Sequence, residues 1–188
     1  MSENKVQFNL KNVHYALLTD TDGVITFGTP VAVPGAVTLS LDPQGDTKKF
    51  YADGVVYQQT TSNQGYSGDL EMARYPDQML KDIWGLTAGT TSKVLTENST
   101  IEPKAFALLY QIDGDVDSQD YVLYNCTGTR PGIGSTTITE SKDPQTQKSS
   151  ISAVPLANGN VMARTTYETP AETKTAWFDA VFVEGSGT

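Results

Sequence analysis

Along most of this chain apolar and polar residues alternate in short runs bounded by turn residues, and in one stretch the period changes. Between Tyr66 and Met72, the residues Tyr66, Leu70 and Met72 fall two or four apart, which places them on one face of a strand. Gly68 breaks that set, as glycine does where a second backbone comes close or a strand bends. From Pro76 the period lengthens. Met79, Leu80, Ile83 and Trp84 fall on one side of a predicted helix over 76–84, with Asp77, Gln78, Lys81 and Asp82 on the other. Pro76 opens the helix where its missing N–H does least harm, Asp77 and Lys81 stand four apart with the acid first, and Gly85 supplies the left-handed stop. So short a helix is not stable alone. Its apolar stripe must lie on β-structure, the only other material the pattern offers.

Before this stretch, Val13–Thr19 reads as a strand, Asp22-Gly23 as a hairpin turn and Val24–Phe27 as a second strand. Pro30 and Pro34 interrupt what comes next, Pro34-Gly35 marks a turn, and Val37–Leu41 alternates again. The segment Asp42–Asn63 reads as a long hairpin arm. Its tip gathers Phe50, Tyr51, Val55, Val56 and Tyr57 about an Asp53-Gly54 turn, between two strongly polar runs. Such an arm either packs on its own domain or reaches onto a neighbouring subunit. A free monomer gains little from it, so the second is expected.

After the helix, Leu86–Glu102 is rich in Thr, Ser, Gly and Asn and reads as a loop. Phe106–Ile112 reads as a buried strand, Asp113-Gly114 turns it, and Tyr121–Thr127 returns. Gly128–Ser135 reads as loop, and Thr136–Glu140 and Ser149–Val154 as strands about an Asp143-Pro144 turn. Asn158-Gly159 is expected to join Ile151–Leu156 to Val161–Tyr167 as a hairpin, Trp177–Val183 to close the fold as a last strand, and Glu184–Thr188 to form a polar tail. The pattern is mainly β: an antiparallel β-sandwich or barrel with one short flanking helix and a hairpin arm at 42–63.

The chain has 188 residues, which suits a single domain over 1–188. Twenty-two acidic residues against 13 Lys and Arg give a net charge of −9, which argues against holding a nucleic acid by its phosphates. The same charge tolerates DNA nearby by repelling it. No apolar run approaches the roughly 18 residues of a membrane span, and the N-terminus lacks the apolar core of a signal peptide. Synthesis in a cytoplasm is expected.

Candidate chemistry is thin. Asp113, Asp115 and Asp117 match the first three ligands of a calcium loop, and Asp120 follows, but Ser118 stands where the turn glycine belongs and Tyr124 where the bidentate Glu belongs. Gly128–Ser135 lacks the Gly-Lys-Ser/Thr of a phosphate loop. Cys126 is the single cysteine and His14 the single histidine; both read as strand residues rather than as ligand or base. Asp69 and Glu71 share a strand face as any half-exposed strand would have it. No catalytic residue, cofactor or metal ligand is expected, and the chain does not read as an enzyme.

The strand Gly65-Tyr66, Gly68, Leu70-Glu71, the helix start Pro76-Asp77 and the helix end Leu80-Lys81-Asp82-Ile83-Trp84-Gly85 together resemble the major tail tube protein of long-tailed siphophages. The hairpin around Tyr51-Ala52-Asp53-Gly54, the start at Val13–Leu18 and the close after Trp177 are similar to that family as well. The resemblance implies a sandwich of two antiparallel sheets with a flanking helix. It implies a structural virion protein that closes into hexameric rings, which stack into a hollow tube for genome ejection. A tape measure protein and then DNA would pass through the lumen without specific binding, and tail tip and tail terminator proteins would sit at the ends. On this reading Phe50, Tyr51, Val55, Val56 and Tyr57 make contacts between rings, Met79, Leu80, Ile83 and Trp84 anchor the helix, and no C-terminal immunoglobulin-like domain follows. The alternative is a monomeric β-sandwich that binds carbohydrate or protein, for which an aromatic platform on one exposed face would be the sign.

Overall fold

A computed structural model describes residues 3–137 and 143–184. Strands take up 47% of the chain and helices 8%, so the fold is mainly β, as the alternation requires. Asp22 and Gly23 both take positive φ (53° and 82°), the pairing that a two-residue hairpin turn demands, and join β1 (Gln7–Thr21) to β2 (Val24–Phe27). Next come β3 (Val31–Ala32), β4 (Ala36–Gln44), β5 (Thr47–Ala52), β6 (Val55–Thr61) and β7 (Gly65–Met72). Then α1 (Asp77–Trp84), β8 (Thr87–Ala88), β9 (Leu95–Thr96), β10 (Phe106–Gly114), β11 (Gln119–Gly128), β12 (Gln147–Ala153), β13 (Met162–Arg164) and α2 (Ala171–Ala176) complete the order. The main sheet runs β2-β1-β10-β11-β12-β7-β4, with β3 added on β1 and β13 on β11, and every pair is antiparallel.

Period-two alternation along the central strands buries both faces. Phe106, Leu108 and Tyr110 of β10 and Tyr121 and Leu123 of β11 enter one cluster with Val13 and Tyr15 of β1, Leu70 and Met72 of β7, Ile151 of β12 and the stripe of α1. Leu39 and Leu41 of β4 pack against the same cluster. Residues from one face of strands at opposite ends of the sheet meet only if the sheet curls over on itself, which produces the layered, sandwich-like arrangement. Ala107, Leu109, Val122 and Tyr124 point the other way and are covered by Leu156, Trp177 and the segment after it.

Several expectations are corrected. Trp177–Val183 is not a strand: Pro170 opens α2, and the apolar residues after it lie across the sheet face in turns. An apolar run records burial, and conformation has to come from its flanks. Asn158-Gly159 does form a tight turn, with Gly159 N–H donating to the Leu156 carbonyl (2.8 Å) and φ of 85°. However, β12 and β13 do not pair with each other. They lie end to end along β11, with Cys126 opposite Ala153 and Leu123 opposite Met162, so the turn belongs to an excursion between two pieces of one edge. The β10–β11 turn falls at residues 115–118 instead of Asp113-Gly114, because β10 runs on to Gly114. Within the predicted loop 86–102, β8 and β9 form a two-residue ladder. Of the predicted strand Thr136–Glu140, residues 136 and 137 are irregular and the rest lies outside the described residues, as does most of the polar tail.

Candidate functional site

The feature that departs most from a self-contained sandwich is the arm. Strands β4 and β7 pair from Ala36–Met72 out to Gln44–Gly65, and past an irregular junction at residues 45–46 and 62–64 the two chains run on side by side. Gln64 N–H donates to the Gln44 carbonyl (2.8 Å) and Ser62 N–H to the Asp46 carbonyl (2.9 Å). At this junction Gly45 lies so close to the Ser62 carbonyl that a side chain has no room. Beyond it β5 and β6 pair only with each other, and Asp53 and Gly54 (φ 51° and 79°) turn the tip.

The register puts Phe50 opposite Gln58, Tyr51 opposite Val56 and Ala52 opposite Val55, with a bulge that adds Tyr57. Alternation then gives Phe50, Val55 and Tyr57 to one face of the ribbon and Tyr51 and Val56 to the other. The Phe50 and Tyr57 rings meet edge to face at 6.4 Å. All five predicted tip residues are exposed, Phe50 at 62% and Tyr57 at 73%. Every residue of β6 is exposed, so among the described residues the arm has no body of its own to lie on. A two-stranded ribbon is marginal in water, and one with both faces apolar at its tip leaves hydrophobic surface uncovered on both.

Met79, Ile83 and Trp84 are buried and Leu80 is half-buried against the core. Pro76 is extended and takes the N-cap position, so the helix begins at Asp77, one residue later than expected, and Gly85 takes φ 68° with its N–H on the Lys81 carbonyl (3.1 Å). Trp84 Nε1 donates to the Gly128 carbonyl (3.0 Å), and the Tyr15 hydroxyl donates to Asp82 Oδ2 (2.6 Å). Asp77 pairs with Arg74 (3.2 Å) rather than with Lys81. Gly68 is the close approach its position foretold: a side chain there would strike the Ser40 carbonyl of β4.

The acidic turn is a set of braces. Asp113 accepts from Lys11, Ser118 and Asn9, each at 2.7 Å, and these bonds hold its carboxyl down at about 2. Asp115 accepts the Lys5 N–H (2.8 Å), Asp117 pairs with Lys174, and Asp120 accepts the Gln111 amide (2.6 Å). Among the described residues no three His, Cys, Asp or Glu side chains are grouped as a metal would need. His14 is a strand residue under the Phe178 ring (4.8 Å), and Cys126 is buried, which pushes its thiol up to about 12. Trp84 and Trp177, both 3% exposed, offer no aromatic platform.

Sequence reading missed one surface. A cleft of about 530 Å³ lies between the N-terminal residues Glu3–Gln7 and residues 164–168. Asn4 pins the first of these walls, donating to the Asp117 carbonyl (2.7 Å) and accepting from the N–H groups of Val116 and Asp117 (3.0 and 2.9 Å). Its walls are more than a hundred residues apart, so no local pattern could have announced it.

No protein-family model matches the sequence, and no curated protein matches it. Among solved structures the chain is similar to the anti-feeding prophage cap, a tube terminating cap determined by cryo-electron microscopy. The identity is 12% and the TM-score 0.42, over 88% of this chain and 96% of that one. A likeness that loose fixes no role for this chain.

Proposed function

We propose that this chain is a structural subunit of a phage tail tube, a major tail protein that closes into hexameric rings and stacks them into a hollow conduit for the genome. The observation that carries the reading is the arm: a ribbon bearing exposed Phe50, Tyr51, Val55, Val56 and Tyr57, which its own chain leaves bare. Surface of this kind is covered in use by a partner, and a repeating self-contact is the simplest supply of one. The open outer edge of β4 adds unpaired backbone groups that a neighbouring copy can satisfy. The net charge of −9 suits a passage that DNA slides through without adhering, alongside a tape measure protein, with tail tip and terminator proteins closing the ends. The chain would be made in the host cytoplasm and end in the virion. The sequence motif around Gly65–Gly85, which resembles siphophage tail tube proteins, supports the same reading.

Negative-stain microscopy of the concentrated protein tests it. Tubes roughly 100 Å across, the width of a ring of domains this size, are the expected outcome. Compact single particles at every concentration would sink the proposal and favour the monomeric binding module.

A further inference from the structure

The cleft between the N-terminal segment and residues 164–168 has no part in the tube reading, and its chemistry is the complement of the arm. Arg164 lines it and, among the described residues, has no carboxylate partner. Val6 and Tyr167 line it while 55% and 40% exposed, Glu3 and Glu168 supply carboxylates beside them, the latter accepting the Tyr167 hydroxyl (3.0 Å), and Lys5 adds a second cation. The arm offers the matching groups in compact order: an edge-to-face pair of rings, Phe50 and Tyr57, with Lys48 and Lys49 immediately behind. Neither lysine has a salt-bridge partner among the described residues.

We propose that the cleft is the receptor for the arm tip of a second copy of this chain, an inference that rests on the self-assembly into a tube. The Arg164 guanidinium takes the face of one of the two rings, Val6 and Tyr167 cover their apolar area, and Glu3 and Glu168 meet the lysines. A cleft of about 530 Å³ has room for a pair of aromatic side chains. Charge favours a sister copy as the occupant. Lys48 and Lys49 against Asp53 make Thr47–Thr61 a +1 segment, so the rest of the chain carries −10. Asp42 and Asp46 lie at the base of the arm and bring 42–63 as a whole to −1, so the positive charge is confined to the tip and acts at contact distance, where it meets the anionic body of a second copy.

Disulfide trapping tests this on the full chain. Cys126 is wholly buried and stays silent, so engineered thiols report cleanly. Gln58→Cys with Thr166→Cys, which flank the contact and leave its rings in place, should give a ladder of covalent oligomers on a non-reducing gel under mild oxidation. The control Gln58→Cys with Val24→Cys, an exposed position away from the cleft, should give at least tenfold less. Thermal melts of both variants, whose substitutions are all at exposed positions, confirm that each is folded. Reversing Lys48 and Lys49 to Glu should cut trapping tenfold, and adding Glu3→Lys and Glu168→Lys should restore it. Tubes without a ladder would overturn the arm-to-cleft contact and leave the tube reading standing. Neither tubes nor a ladder would remove both.

Discussion

Asp120 is 3% exposed, with the Gln111 amide as its hydrogen-bond donor and the charges of Lys174, Asp117 and Lys11 around it. Burial raises its carboxyl above the ordinary range, and the Gln111 bond only partly offsets that. A group raised on folding favours the native state below its unfolded value, near 3.9, and that contribution is lost as pH rises through the higher folded value. Above that range the native state is therefore less stable, on account of this group, than it is in acid. Asp120→Asn keeps the acceptor for Gln111 and removes the charge, so the variant should be more stable than the parent in urea at pH 7. The advantage should shrink towards pH 4; an advantage unchanged in acid would place the cost in packing. Asp113 has the opposite sign. Its carboxyl is held at about 2, so its contribution is complete above pH 3.9 and disappears as pH falls towards 2. Because its charged partner Lys11 is exposed to solvent, the share of stability from Asp113 is small, and Asp113→Asn should merely soften the acid limb of the unfolding curve.

Among the elements, α1 and the arm make opposite predictions. Ile83 is fully buried between the helix and the sheet, so Ile83→Ala should cost about 3 kcal/mol by chemical denaturation, the sum of lost transfer energy and an unfilled cavity. The double change Phe50→Ser, Tyr57→Ser touches only exposed rings and should shift stability by no more than about 0.5 kcal/mol while abolishing tubes. A large loss of stability would mean that the arm braces its own body. Both elements were legible in the sequence because their signals are local: a change of period with Pro76 before it and Gly85 after it, and an Asp-Gly turn between β-branched and aromatic residues. What was illegible depends on partners. Trp177–Val183 is as apolar as a strand, yet β13 has already taken the edge of β11 near Tyr121, where the Trp177 indole reaches the Tyr121 carbonyl (3.4 Å). Likewise Asn158-Gly159 specifies its turn but not the strand that the chain meets afterwards. The cleft, assembled from residues 3–7 and 164–168, has no signature of any length in the chain.

On the scale of the whole molecule, assembly has to overcome like charge. Two copies of net −9 repel at long range, whereas the proposed arm contact is attractive only when Lys48 and Lys49 come within a few ångströms of carboxylates. Salt separates the two because screening acts first on the longer distance: the Debye length is about 30 Å at 0.01 M and about 8 Å at 0.15 M. Raising ionic strength over that range should speed assembly several-fold, followed by light scattering at fixed protein concentration. Beyond it, towards 1 M, where screening reaches about 3 Å, the contact itself weakens and the gain should level off or reverse. The apolar part of the interface, from Phe50, Tyr51, Val55, Val56 and Tyr57, does not depend on that screening and should keep formed tubes from dissolving. With Lys48 and Lys49 reversed to Glu, Thr47–Thr61 changes from +1 to −3 and the short-range attraction is gone, so assembly should rise with salt over the whole range without the plateau. A rate that falls steadily with salt in the parent chain would show that attraction governs the first encounter, and the arm would then steer association as well as hold it.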